Sequence, residues 1–187
     1  MNFYLPAPPE VLQDQSQFTC WAASLESWLS VTPQSPASYL IQTQDDAVAM
    51  FSNAFTTNKN GLEIKLGFSM LAATAGMQFK VFFKASQLTG DFLYTMLRNR
   101  GYLYLFFAGR GPDLPGGTGT SCGVAVGNGL AHAVVIYGIS NPWNPSKCTL
   151  GVMDPWSGMR AGVDLKCYRQ AKEAVVAWLD PRQKVKR

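Results

Sequence analysis

The sequence predicts an α+β fold, and three features carry that expectation. In the first part of the chain the apolar residues recur at helical spacings of three and four; from Met77 onward they alternate or form short runs bounded by turns; and the two regimes follow one another instead of interleaving. Helices first and strands afterwards, joined by short turns, imply an antiparallel sheet. There is no internal repeat and no low-complexity segment.

Residues 1 to 19 carry Pro6, Pro8 and Pro9 followed by polar side chains, which predicts an extended arm ahead of the first helix. From residue 20 to 30, Trp21, Leu25, Trp28 and Leu29 write one buried helical face, with Thr19 in the N-cap position; Thr32-Pro33 and Pro36 stop that helix. A second helical stretch is predicted over about 37 to 55, with Tyr39, Leu40, Val48, Met50, Phe51 and Phe55, ended by Asn58-Lys59-Asn60-Gly61. A third covers 62 to 76, with Leu66, Met70 and Leu71 in register and Gly76 as its stop.

Met77 to Phe83 then reads as a strand, Ser86 to Asn99 as a short helix with Leu88, Phe92, Met96 and Leu97 inward, and Tyr102 to Phe107 as an aromatic-rich strand. Residues 109 to 129 hold eight glycines and two prolines and predict a long loop, a length usually tied to function. Ala131 to Ile139, Cys148 to Met153, Met159 to Val163 and Ala174 to Leu179 complete the strands, with a helical turn around Asp164 to Ala171. The whole is expected to be one domain, a helical lobe over about 11–76 and a β lobe over about 77–180, ending in a basic tail at 181–187.

The 187 residues suffice to bury about 70% of the unfolded surface without cross-links. Hydrophobic residues make up 47% and charged residues 15%, the balance of a globular chain. The net charge of +4 gathers largely in Arg182, Lys184, Lys186 and Arg187, so the folded part has no basic stripe for nucleic acid. No run approaches a membrane span, and Met1 to Glu10 lacks the basic and apolar regions of a signal peptide, which predicts a cytoplasmic chain or export by a signal-independent secretion system. Cys20, Cys122, Cys148 and Cys167 are widely spaced and form no C-x-x-C pair, so the spacing predicts neither a zinc ribbon nor a disulfide framework. No metal and no cofactor is expected.

Cys20 is the candidate nucleophile. It stands at the start of the first helix, where free backbone N–H groups and the positive end of the helix dipole favour a negative sulfur. The competing reading is a small buried core residue, which free cysteines often are. A nucleophile needs a base, and the sequence contains one histidine, His132, at the head of the strand Ala131-His132-Ala133-Val134-Val135-Ile136-Tyr137-Gly138. A base of this kind is held by a third group; Asp154, at the end of the next strand and before Pro155, is the best candidate, although Asp-Pro-Trp-Ser-Gly is also an ordinary turn. For the developing oxyanion the Cys20 backbone N–H is one donor, and Gln13, Gln15 and Gln17 each qualify by chemistry as the other.

A glutamine ahead of Cys20-Trp21-Ala22-Ala23-Ser24, a later His132-Ala133-Val134-Val135 strand and an aspartate at a strand end resemble the papain-like cysteine peptidase superfamily. Within it they are most similar to the compact bacterial branch of type III effector proteases and bacteriocin-leader peptidase domains. Leu97 to Phe107 followed by His132 to Gly138 is similar to that branch too, where a helix leads to a strand and then to the histidine strand. The resemblance implies a papain-like fold, with the nucleophile helix packed on a C-terminal antiparallel sheet. It also implies Cys20 as nucleophile, His132 as general base and acid, Asp154 as orienter and an upstream glutamine as oxyanion donor.

The papain pattern has five residues between that glutamine and the cysteine, which here falls on Asp14; Gln13 leaves six and Gln15 four. Gln13 is favoured and Gln15 is the fallback, because an added loop residue is easier to absorb than a missing one. Asp154 stands where papain has asparagine, and the glycine-rich loop has no counterpart in the pattern.

The expected function is therefore a cysteine peptidase or amide hydrolase acting on a protein or peptide, in the setting of a bacterial effector or toxin, with a cognate inhibitor or immunity protein as a further partner. The alternatives are a deamidase or acyl transferase on the same triad, and an inactive domain that binds a partner through its aromatic surface. Zinc held by His132 with Cys122, Cys148 and Cys167 is disfavoured by the absence of short ligand spacings.

Overall fold

The computed structural model describes residues 1–14, 19–51, 66–108 and 131–182. In chain order the elements are β1 (Asn2–Tyr4), α1 (Cys20–Ser30), α2 (Gln44–Met50), α3 (Leu66–Ala75), β2 (Met77–Phe82), α4 (Gly90–Arg100), β3 (Leu103–Ala108), β4 (His132–Ser140), β5 (Thr149–Asp154), β6 (Met159–Asp164), α5 (Leu165–Tyr168) and β7 (Glu173–Leu179). The glycine-rich stretch 109–129, the second helical stretch beyond Phe51 and the tail beyond Arg182 lie outside the described residues.

Among the described residues the strands form one seven-stranded antiparallel sheet in the order β2-β7-β3-β4-β5-β6, with β1 added beside the far half of β4. Its central strand, β3, is buried at every position, which is why its sequence reads as a continuous apolar run. Side-chain alternation splits the core in two. On one face Tyr104, Phe106, Ala133, Val135, Met153, Val175 and Ala177 meet Trp21, Leu25 and Trp28 of α1 and Phe68 and Leu71 of α3. On the other, Leu103, Leu105, Phe107, Val134, Ile136, Leu150, Val152 and Val176 meet Leu93 and Leu97 of α4 and Leu165 and Tyr168 of α5. The sheet is thus the middle layer of three.

Several boundaries differ from the sequence expectation for local reasons. The stretch from residue 37 resolves into a 3₁₀ turn, Pro36–Tyr39, and then α2. Thr43 and Asp46 form a reciprocal capping box, the Thr43 hydroxyl accepting the Asp46 N–H and the Asp46 carboxylate accepting the Thr43 N–H, and this starts a new helix inside the predicted one. In α4 the Thr89 hydroxyl accepts the Phe92 N–H, so the helix begins at Gly90, later than Ser86, and it ends against Gly101 at φ 83°. Met70 of α3, placed in the apolar register by the sequence, is exposed, while Leu71 is buried.

The N-terminal arm is more structured than its composition suggests. Its first residues pair with β4, Phe3 opposite Ile139 and Tyr4 opposite Gly138. The Tyr4 ring lies directly on Gly138 and Gly151, where a Cβ on Gly138 would sit 2.0 Å from the ring, and its hydroxyl reaches Ser140 Oγ at 2.8 Å. Beyond Tyr4, prolines remove N–H donors and the exposed carbonyls are taken by side chains: Pro6 O by Tyr102 at 2.7 Å, Pro8 O by Arg160 at 3.0 Å, Pro9 O by Ser27 at 2.7 Å and Leu12 O by Gln44 at 3.0 Å.

A methyl group at Gly138 meets the Tyr4 ring and must displace it. Gly138→Ala is expected to destabilise the protein by about 1–3 kcal/mol in chemical denaturation, and Tyr4→Ala in that background should add little, because the two changes remove one contact.

Candidate active site

Cys20 is the first residue of α1 and is buried. Thr19 occupies the N-cap position, as expected, but its hydroxyl does not cap the helix: it accepts the Asp14 N–H at 3.1 Å and donates to Gln44 Oε1 at 3.0 Å. The helix start is thereby tied to the arm and to α2. The rest of α1 is fixed on the sheet by Ser24 Oγ donating to Ala133 O at 2.9 Å and Tyr104 Oη donating to Trp21 O at 2.8 Å. The Cys20 sulfur reaches round the end of β4, 3.8 Å from Ala131 O.

His132 opens β4 and is 2% exposed; Asp154 closes β5 and is 4% exposed. Their side chains meet with Nε2 2.8 Å from Oδ1, and the Trp156 N–H also donates to Oδ1, at 2.9 Å. The Cys20 sulfur lies near enough to the same ring to raise its pKa. With Nε2 committed to Asp154, Nδ1 is the nitrogen left for sulfur. Three residues spread over most of the chain's length therefore come together at one end of the sheet.

The meeting depends on an irregularity in β4. Beyond it Gly138 pairs with Gly151 and Ile139 with Leu150; before it Ile136 pairs with Val152 and Val135 with Met153, so β4 has one extra residue at Tyr137. Continuing the outer register unshifted would set Asp154 opposite Val135, whose side chain lies under α1. The shift sets it across from Val134 instead, on the face that His132 shares by alternation.

Electrostatics reinforce the geometry. Burial works against a charged imidazole, but the hydrogen bonds to Asp154 and Cys20, with the charges of both, outweigh it and raise His132 from 6.5 to about 10. Against the ring's other side Phe107, its partner across β3, packs edge-on with centroids 5.6 Å apart, and Tyr168 packs in turn against Phe107 at 5.1 Å. Pattern reading picked out neither aromatic, since both look like ordinary core residues; alternation along β3 from the histidine's partner would have found Phe107.

Gln13 is bracketed between the helix start and the aspartate turn: its own N–H donates to Pro155 O at 2.9 Å, and the next N–H, of Asp14, goes to Thr19. Gln13 is 3% exposed, and its amide oxygen has no hydrogen-bond partner among the described residues. Gln15 and Gln17 lie outside the described residues. Of the remaining cysteines, Cys148 is free and buried, its thiol pushed up to about 11 by burial and then by the charge of Asp164. Cys167 is disulfide-bonded, which corrects the expectation from spacing that there would be no such framework; spacing is blind to cysteines that only tertiary structure brings together. Among the described residues no three His, Cys, Asp or Glu side chains cluster as metal ligands would, and no helix is long and apolar enough to cross a membrane.

No family model and no curated protein matches the sequence. Solved structures do. The chain is similar to UfSP from C. elegans, at 11% identity and a TM-score of 0.56, over 95% of this chain and 34% of that one. The α+β fold is papain-like. The digestive procathepsin L2 proteinase from Tenebrio molitor larval midgut matches at 14% identity and a TM-score of 0.47, over 95% of this chain and 68% of that one. The chain thus spans about a third of the length of the C. elegans protein.

Because the chain has a single histidine, its titration is read without assignment. Asp154→Asn removes one of the charges that raise the ring, so the pKa measured by NMR should fall from about 10 towards 6.5. The same shift sets the pH dependence of stability. A folded-state value raised above the unfolded one stabilises fully below pH 6.5 and is lost as pH rises to about 10, so unfolding free energy should decline across that interval, and less steeply in Asp154→Asn.

Proposed function

We propose that the chain is a papain-like cysteine peptidase or amide hydrolase acting on a protein or peptide. The observation that carries this is the junction at His132, bonded through Nε2 to Asp154 at 2.8 Å and raised by the nearby sulfur at the tip of α1. Cys20 attacks the acyl carbon as thiolate, and the carbonyl electrons move onto oxygen. The Cys20 N–H, a first-turn donor with no partner inside the helix, and the Nε2–H of the Gln13 amide receive that charge.

His132 gives its Nδ1 proton to the leaving amine, whose bond to the acyl carbon breaks to leave a thioester. Water then attacks with its proton passing to the neutral ring, and the thiolate leaves, restoring the ion pair and releasing a carboxylic acid. Asp154 keeps the ring in the tautomer and orientation that both half-reactions need. Gln13 is preferred to Gln15 because its own N–H is bound to Pro155 O and the next N–H, of Asp14, to Thr19. The disulfide at Cys167 favours an oxidising setting over the cytoplasm. A delivered effector or toxin rests on the resemblance alone.

Iodoacetamide at pH 6 to 7 should alkylate Cys20 at least about tenfold faster than Cys148, whose thiol stays protonated. Cys20→Ala and His132→Ala should each lower cleavage of a peptide library by about 10³-fold or more, with the far-ultraviolet dichroism unchanged. Equal, slow alkylation of Cys20 and Cys148 would defeat the proposal.

A further inference from the structure

We propose that Gln44 is a positioning residue for the oxyanion donor: its side-chain amide holds the backbone on both sides of Gln13 and so sets where the Gln13 Nε2–H stands relative to Cys20. Gln44 is the first residue of α2, and its own N–H donates to the Glu26 carboxylate of α1 at 2.7 Å. Its side chain thus springs from a backbone fixed to the helix that carries Cys20.

That amide makes hydrogen bonds through both of its ends. Nε2 donates to Leu12 O at 3.0 Å, while Oε1 accepts the Asp14 N–H at 3.2 Å and the Thr19 hydroxyl at 3.0 Å. A backbone carbonyl can only accept and a backbone N–H can only donate, so these partners fix which way the amide faces. Leu12 O and the Asp14 N–H belong to the two peptide groups that flank the Gln13 Cα, and the N–H of Gln13 itself goes to Pro155 O at 2.9 Å. In an extended segment a residue's own groups and those of its two neighbours point to opposite edges. Gln13 is therefore held like a residue in the middle of a sheet, by the β5–β6 turn on one edge and by a single side chain on the other.

The bond to Thr19 is not what sets the sulfur. Without it Thr19 Oγ still accepts the Asp14 N–H at 3.1 Å, and α1 is still held by Ser24 on Ala133 O and by Tyr104 on Trp21 O. Leu12 O, by contrast, loses its donor. Deleting the Gln44 amide therefore loosens the arm at Gln13 while leaving Cys20 where it is.

This assignment rests on the proposed hydrolase reading and adds to it the device that places the Gln13 amide. Two reactions of the same sulfur isolate that device. In acylation by p-nitrophenyl acetate the thiolate attacks the acetyl carbon, a tetrahedral oxyanion forms, and p-nitrophenolate leaves to give the thioester. In alkylation by iodoacetamide the sulfur displaces iodide at a saturated carbon, and no oxyanion develops. Only the first reaction uses the Gln13 amide.

In the full-length protein, Gln44→Leu should slow the Cys20-dependent burst of p-nitrophenolate by roughly 10- to 100-fold, with iodoacetamide alkylation of Cys20 within about twofold of wild type. Peptide cleavage should lose the same factor in kcat with KM unchanged, because Gln44 touches no substrate. In the Gln13→Ala background the substitution should cost nothing further. Gln44→Glu keeps the volume and the acceptor oxygen for Asp14 and Thr19 and deletes only the donor to Leu12 O; it should show the same selectivity at neutral pH, and it carries the test if the leucine variant does not fold. Acylation and alkylation that fall together, or an acylation rate that does not fall, overturn the assignment, as does an undiminished effect of Gln44→Leu in the Gln13→Ala background. A wild-type burst that does not depend on Cys20 overturns the hydrolase reading instead, and this assignment with it.

Discussion

One extra residue in β4 decides whether this site exists. A strand's side chains alternate, so a uniform register between β4 and β5 fixes which face Asp154 shares with β4, and with the pairing seen beyond Tyr137 that face is the one under α1. The histidine would then point away from it. Inserting one residue at Tyr137 reverses the parity of the inner half of β4, so that Val134, Ile136 and His132 share the face of Val152 and Asp154. The tyrosine seat formed by Gly138 and Gly151 lies at this same place, where Tyr4 covers two positions without side chains. The arm thus packs on the segment whose geometry the site depends on.

With His132 on one face and α1 on the other, the Cys20 sulfur comes to the imidazole around the end of a strand. Cys20 does so as the tip of α1, whose position is fixed by Ser24 and Trp21 bonding to strand groups and by Thr19 bonding to the arm and α2. These bonds are short, buried or partly buried, and involve neighbours on four different elements, so sulfur and ring are located by the rigid parts of the fold. The arm contributes a second time at Gln13, where successive N–H groups reach the β5–β6 turn and the helix start. One proline-rich segment therefore runs from the bulge to the oxyanion candidate.

How much of this was legible in the sequence follows from the range of each signal. Helical spacing marked α1 and its terminus, and alternation marked the strands, because both periods are local and survive in any tertiary context. The histidine could be singled out because the chain has no other. The capping box at Thr43 and Asp46 is equally local, but the apolar run from Tyr39 to Phe55 is longer and reads as one helix where a turn and a helix occur. The bulge at Tyr137, the pairing of β1 with β4, the cysteine cross-link at Cys167 and the layer of Phe107 and Tyr168 behind the base are relations between distant segments. Nothing in the spacing of one strand reveals which residue of another will face it.

For the proposed two-step hydrolysis the elevated imidazole has a consequence. Of the influences that raise His132, two come from Asp154 and two from Cys20, the hydrogen bond and the charge of the sulfur, while burial always opposes them. In that proposal all four act before attack, while the sulfur is charged, and the ring is an imidazolium suited to giving a proton to a leaving amine. Once the sulfur is acylated it carries no charge and its hydrogen bond to the ring is gone, so burial is opposed by Asp154 alone and the ring's proton affinity drops. A ring of lowered affinity exists as the neutral base that the attack of water requires. Release of the thiolate then restores both contributions. The same desolvation that would by itself abolish an imidazolium is thus what makes the ring responsive to the state of the sulfur: in a solvated site those charges would be screened, and the ring would scarcely register whether the sulfur was acylated.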